Sequence, residues 1–168
     1  LTYVTVGVNG KLKYAWTVLK TVARGQKFDV VFCLHINLMP LAWLATLKGR
    51  PPLVLAIHGI DAWQPTKSIV ANALVKRIDA FIAVSALTRD RFVAWARIRR
   101  GSGHIIPNCV DLEKFRPAPK SRELMQRYGV AGKTIVMTLG RLAGAERCKG
   151  VDEVLEVIPT LVAQFPGL

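Results

Sequence analysis

Short β-branched apolar runs alternate with helix-patterned segments along almost the whole of this 168-residue chain, and that alternation confines it to the α/β class. Residues 28–36, 53–58, 80–85, 104–107 and 134–139 have the length and composition of buried strands, and 3–8 has the pattern of another. Between and after them, 38–47, 67–77, 86–98, 122–128 and 151–165 carry apolar residues at helical spacing. Near-continuous apolar strands separated by single helices are the pattern of a mainly parallel sheet with helices on its faces.

A charge-free stretch at 30–47 is long enough to raise the question of a membrane span. His35, Asn37 and Pro40 interrupt it, so it is expected to divide into a strand and a helix, with Asn37 as cap and Pro40 in the first turn. Residues 11–24 are amphipathic, with Leu12, Trp16, Leu19 and Ala23 on one face and Lys13, Thr17, Lys20 and Arg24 on the other. The simplest expectation is a helix that covers the sheet with its apolar face and keeps its basic stripe in water; docking of that stripe to anionic lipid is the competing one.

The balance of 24 basic to 11 acidic residues gives a net charge of +13, and Asp29 is the only acid before Asp61. Such a chain favours anionic partners: nucleic acid, an anionic membrane surface, or phosphorylated small molecules. The densest cluster, Arg97, Arg99 and Arg100, has the position of a solvated helix end, and neither exposed aromatics between basic clusters nor a zinc framework points to nucleic acid. Cys33, Cys109 and Cys148 form an odd count without CxxC spacing, which suits a reducing compartment and excludes a structural zinc site of that type.

Pattern gives way to the polar, proline-rich NCVDLEKFRPAP at 108–119, which suggests a boundary: 1–116 as one domain that lacks its start, and 117–168 as the beginning of a second. About fifty residues cannot close an α/β core. Leu1 in place of an initiator methionine and an end at Leu168, where a helix would close, lead to the expectation of a piece of a longer protein, inactive by itself.

Loops that follow strands of a parallel sheet gather at its carboxyl edge, where ligands of open α/β sheets bind. The first is His58-Gly59-Ile60-Asp61, with a glycine that lets the backbone approach a ligand and a histidine able to bond hydroxyls or phosphate. Ser85 is placed to cap the next helix, and Asn108 and Asp111 lie at the proposed crossing, as hinge or as cleft lining. The last is 140–150, GRLAGAERCKG, in which Gly140, Arg141, Lys149 and Gly150 form a flexible, cationic strand-to-helix loop. It matches neither a Walker loop nor GxGxxG, and it is either a solvated loop or a clamp for a dianion.

In order along the chain, HGxD, DxFIAVS, IPNxVDxxxFxP and GRL with ERxKG resemble the retaining family 4 glycosyltransferases of the GT-B fold, over residues 28–168. The resemblance implies a Rossmann-like acceptor-side domain, incomplete here, plus the first β-α unit of a second Rossmann-like, donor-binding domain. It implies transfer of a sugar from a nucleoside-diphosphate sugar to a glycan, lipid-linked or small-molecule acceptor with retention of configuration. It assigns His58 to the transferred sugar, Asp61 to acceptor or sugar hydroxyls, and Arg141 and Lys149 to the donor diphosphate. No cofactor and no metal are implied, since fixed cations stand where a metal would otherwise neutralise the leaving group. Cys109 departs from the pattern, which often has glycine there. Action is expected in the cytoplasm, with peripheral contact at an anionic inner membrane surface left open, and no nucleic acid partner is expected. The rival readings are a basic non-enzymatic module for nucleic acid or anionic membrane, and another GT-B enzyme such as an epimerase or a phosphorylase.

Overall fold

The computed structural model describes residues 4–5, 10–140 and 150–165. The elements follow in the order α1 (Lys11–Ala23), β1 (Val31–Cys33), α2 (Met39–Thr46), β2 (Leu53–Ile57), α3 (Ile69–Leu74), β3 (Ala80–Ala83), α4 (Ala86–Ala96), β4 (Gly103–Ile105), α5 (Arg122–Tyr128) and α6 (Val151–Gln164). Contacts divide the chain into a unit at Leu1–Val110 and a unit at Asp111–Leu168, a division that falls within the 108–119 stretch.

In the first unit the four strands are all parallel and lie in sequence order, β1-β2-β3-β4. Val31 pairs with Leu53, Leu55 with Phe81, and Phe81 with Gly103. The core lies against one face of the sheet, where Leu53, Leu55 and Ile57 of β2 and Phe81 of β3 point and are fully buried together with Ile36, Met39, Val75 and Phe92 from the flanking segments, while Val54 and Ile82 on the other face are only partly buried. Phe81 meets Phe92 edge to face at 5.1 Å, and Phe92 meets Trp95 in the same manner at 5.3 Å, which fixes α4 against β3. The residue beneath Phe81 is Gly103; a Cβ there would lie 2.2 Å from the ring.

Three local expectations are corrected. The 30–47 stretch does divide, but the cap is His35: its Nδ1 accepts the Asn37 backbone N–H at 3.1 Å, so Asn37 lies inside a 3-10 turn at Ile36–Leu38 rather than ahead of a helix. Pro40 is in the first turn of α2, where its missing N–H costs nothing. Among the described residues, no helix is long and apolar enough to cross a membrane.

The second correction concerns α1, none of whose residues is buried. Tyr14, Val18 and Thr21 face a cavity shared with Ala45 of α2, while Leu12, Trp16 and Leu19, the face expected to cover the sheet, are exposed. The inward turn follows from Tyr14 and Val18, which form a second apolar stripe on the opposite side.

The third is 134–139, which forms no strand. A strand is held by a neighbour, and the second unit contains no other strand among its described residues. Ile135, Val136, Met137 and Leu139 are exposed, and no described residue from 111 onward is buried. The helices there are nonetheless set by local chemistry: Ser121 caps α5 through the Leu124 N–H, and Gly129 in the left-handed region ends it. The 3–8 segment lies largely outside the described residues.

Candidate functional site

Because every strand of the first unit points the same way, the segments after β1, β2, β3 and β4 emerge at one edge of the sheet. His58 is the first residue after β2 and is exposed. Its Nε2 lies 3.1 Å from the Leu34 carbonyl oxygen, just beyond β1. A carbonyl only accepts, so Nε2 carries the proton, and Nδ1 is the ring nitrogen without a partner among the described residues. The imidazole thus bridges two strand ends and offers one nitrogen at the carboxyl edge.

The chain turns sharply behind it. Gly59 has φ of 135°, a conformation that side-chain-bearing residues rarely adopt, and its carbonyl accepts the Ala62 N–H at 2.9 Å. The Asp61 carboxylate accepts the His58 backbone N–H at 3.2 Å and so closes the turn. Asp61 therefore positions the histidine main chain, a role that its place three residues later in the sequence does not announce.

The loop is then tied to α4. Trp95 Nε1–H donates to the Ala62 carbonyl at 2.8 Å, and Trp63 Nε1–H donates to Thr88 Oγ1 at 3.2 Å. Ser85 Oγ accepts the Thr88 N–H at 3.2 Å and donates to Thr88 Oγ1 at 3.1 Å, so the expected cap is present and also reaches the loop after β2. The Arg91 guanidinium lies 4.2 Å from the Trp63 ring centroid. Thr88, Trp63 and Trp95 were not legible as site-supporting residues, because their partners lie 25 to 33 residues away. His35 had a visible signal, a polar ring two residues past a strand.

Asn108 belongs to the first unit, where its side chain is exposed and bonds to no described residue. Asp111 opens the second; its Oδ1 accepts the N–H groups of Glu113 and Lys114 at 3.0 and 3.1 Å, which makes it the cap of the turn before Phe115. Gly140 is exposed, and Arg141 and Lys149 lie outside the described residues. Gly150 is the N-cap of α6 with φ of 73°, and Asp152 and Glu153 occupy the first turn. Those carboxylates suit the helix dipole and add negative charge beside the place where the sequence points to a diphosphate. Among the described residues, no group of three His, Cys, Asp or Glu side chains converges in a way that could hold a metal ion.

The sequence profile of Glycosyltransferase Family 4 matches residues 5–114. The chain belongs to that family. This family 4 chain is 34% identical over 155 residues to a phosphatidyl-myo-inositol mannosyltransferase of Mycolicibacterium smegmatis, covering 90% of the chain and 37% of that protein. It is 32% identical over 137 residues to a GDP-mannose-dependent α-(1-6)-phosphatidylinositol monomannoside mannosyltransferase of Mycobacterium tuberculosis, covering 76% of the chain and 34% of that protein. The chain thus spans about a third of the length of these relatives. Among solved structures it resembles Anabaena HepE in complex with UDP and glucose, with a TM-score of 0.69 at 22% identity over 94% of the chain and 42% of HepE. HepE in complex with UDP matches with a TM-score of 0.63 at 25% identity, over 75% and 36% of the two chains. The parallel α/β fold expected from the strand and helix alternation is therefore one shared with HepE.

Proposed function

We propose that the whole protein containing this chain is a retaining GT-B glycosyltransferase, and that residues 1–110 supply its acceptor-side face. The reaction is transfer of a sugar from a nucleoside-diphosphate sugar to a glycan, lipid-linked or small-molecule acceptor. The observation that carries this reading is His58, placed at the carboxyl end of β2 with Nδ1 open, in a chain of Glycosyltransferase Family 4. Names of relatives support it, since they are mannosyltransferases, and HepE has been captured with UDP-glucose. The nucleic-acid reading gains nothing from these likenesses.

In this reading His58 holds the transferred sugar through Nδ1 as the bond to the departing nucleoside diphosphate lengthens. Arg141 and Lys149 balance the charge that develops on the leaving diphosphate, which is most effective from fixed cations in a site with little water. Asp61 keeps the His58 main chain in place and reaches hydroxyls only with its remaining lone pairs. No protein nucleophile is assigned, and the cations leave no step that requires a metal. The site works in the cytoplasm.

One relative is named for dependence on GDP-mannose and HepE has been captured with UDP-glucose, so the test offers both to the whole protein and follows release of GDP or UDP. Retention is checked by the anomeric NMR signal of the product. Replacing Arg141 or Lys149 with Ala lowers turnover by roughly 10²-fold or more, as for loss of a charge-stabilising group. His58→Ala lowers sugar transfer more than nucleoside-diphosphate affinity. Equal losses in both quantities, or near-normal turnover of the two cation variants, overturn these roles.

A further inference from the structure

α1 has two apolar faces, and only one of them is used inside the fold. Tyr14, Val18 and Thr21 turn toward α2. On the other side Leu12 is 87% exposed, Trp16 66% and Leu19 42%, at spacing i, i+4, i+7 along 13 residues of helix. A contiguous outward stripe of two leucines and a tryptophan is costly to leave in water and marks a surface that something covers.

Charge decides among the occupants. Lys13, Lys20 and Arg24 follow one flank of the stripe at helical spacing, and no acidic residue precedes Asp29. The Lys48 ammonium adds a further cation near the end of α1, beside Gly25. A second copy of this face would set cations against cations. A neutral apolar groove would leave them uncompensated. What matches is a surface that is apolar below and anionic above.

We propose that α1 lies flat in the headgroup region of an anionic bilayer, with Leu12, Trp16 and Leu19 among the upper acyl carbons and Lys13, Lys20 and Arg24 at lipid phosphates. An interfacial helix of this kind sinks about 5–10 Å below the headgroups, a depth that three such side chains reach. Tryptophan favours that boundary because its ring is apolar and its N–H is polar. The proposal is independent of the sugar chemistry, since no residue of α1 belongs to the site around His58.

The test is co-sedimentation of the whole protein with phosphatidylcholine vesicles, with and without phosphatidylglycerol, at low and high salt. Binding is expected to the anionic vesicles only and to weaken with salt. The pair Leu12→Gln with Trp16→Gln, and separately the triple Lys13→Gln, Lys20→Gln, Arg24→Gln, are each expected to lower partitioning roughly tenfold or more. Their melting temperatures should match that of the parent, because every replaced side chain is exposed or flanks the exposed face. As a readout that does not depend on a disruptive variant, brominated lipid should quench tryptophan emission in the parent and lose most of that effect in Trp16→Phe, which still binds. Equal binding to zwitterionic vesicles, no binding to either kind, anionic binding retained by the Leu12/Trp16 pair, or capture of a soluble acidic polypeptide in place of vesicles would overturn the proposal.

Discussion

The ring of His58 is held by the main chain just past a different strand, β1, by way of the Leu34 carbonyl at 3.1 Å. Its position therefore depends on how β1 and β2 are aligned and on the turn at Gly59. Gly59→Ala has open space for its Cβ yet forces a side chain into φ of 135°, so it should cost about 1–3 kcal/mol in a denaturant titration and lower transfer activity together with stability. An activity loss without any stability loss would mean that the glycine serves substrate access instead. His58 itself was legible, because a histidine and a glycine directly after an apolar run mark a strand end. Its partner was not, since a backbone carbonyl 24 residues away leaves no side-chain signature. A second residue-scale prediction concerns thiols. Burial pushes the Cys33 thiol pKa up, and its Sγ–H donates to the His35 carbonyl, whereas Cys109 is exposed. Alkylation of the native protein followed by peptide mass spectrometry should label Cys109 well before Cys33. Asp90 shows the opposite shift: a hydrogen bond from Arg89, then the charge of Arg100, holds its carboxyl below the usual range. The stabilisation is present above the carboxylate's unfolded pKa and disappears as pH falls through the folded one. The exposure of the pair keeps it small, so the check is the titration itself by NMR, in which Arg89→Ala should raise the Asp90 midpoint.

At the scale of elements, one serine joins two of them. Ser85 caps α4 and, through Thr88 and Trp63, steadies the loop after β2. Ser85→Ala should lose about 1 kcal/mol, the ordinary worth of an N-cap, and should also speed amide exchange at Ala62 and Trp63; exchange unchanged there would show that the link to the loop carries no energy. On the other side of β3, Gly103→Ala sets a methyl against the fully buried Phe81 ring and should cost about 1–3 kcal/mol as overpacking, read as a lower denaturant midpoint. Elements whose cause is local were readable in advance: α5 occupies 122–128 as its capping serine and closing glycine dictate. Those whose cause is a neighbour were not. The run at 134–139 has the composition of a strand and no strand beside it, and α1 presents outward the stripe that periodicity alone would bury. Periodicity identifies faces of a helix without saying which of two apolar faces meets the core.

At the scale of the molecule, burial among the described residues is confined to the first unit. Hydrogen exchange on the intact chain should therefore find its slowest amides in β2 and β3, with α5 and α6 exchanging near the rate of isolated helices; comparable protection in these helices would contradict the burial pattern. The strand order described above has a further consequence, for synthesis. Each strand pairs with the one made just before it, so a ribosome can lay down this sheet as it translates, with every new strand finding its template already emerged. Among the described strands none depends on a partner made far down the chain, and β4, with Gly103 beneath the Phe81 ring, is the last of the four to be made.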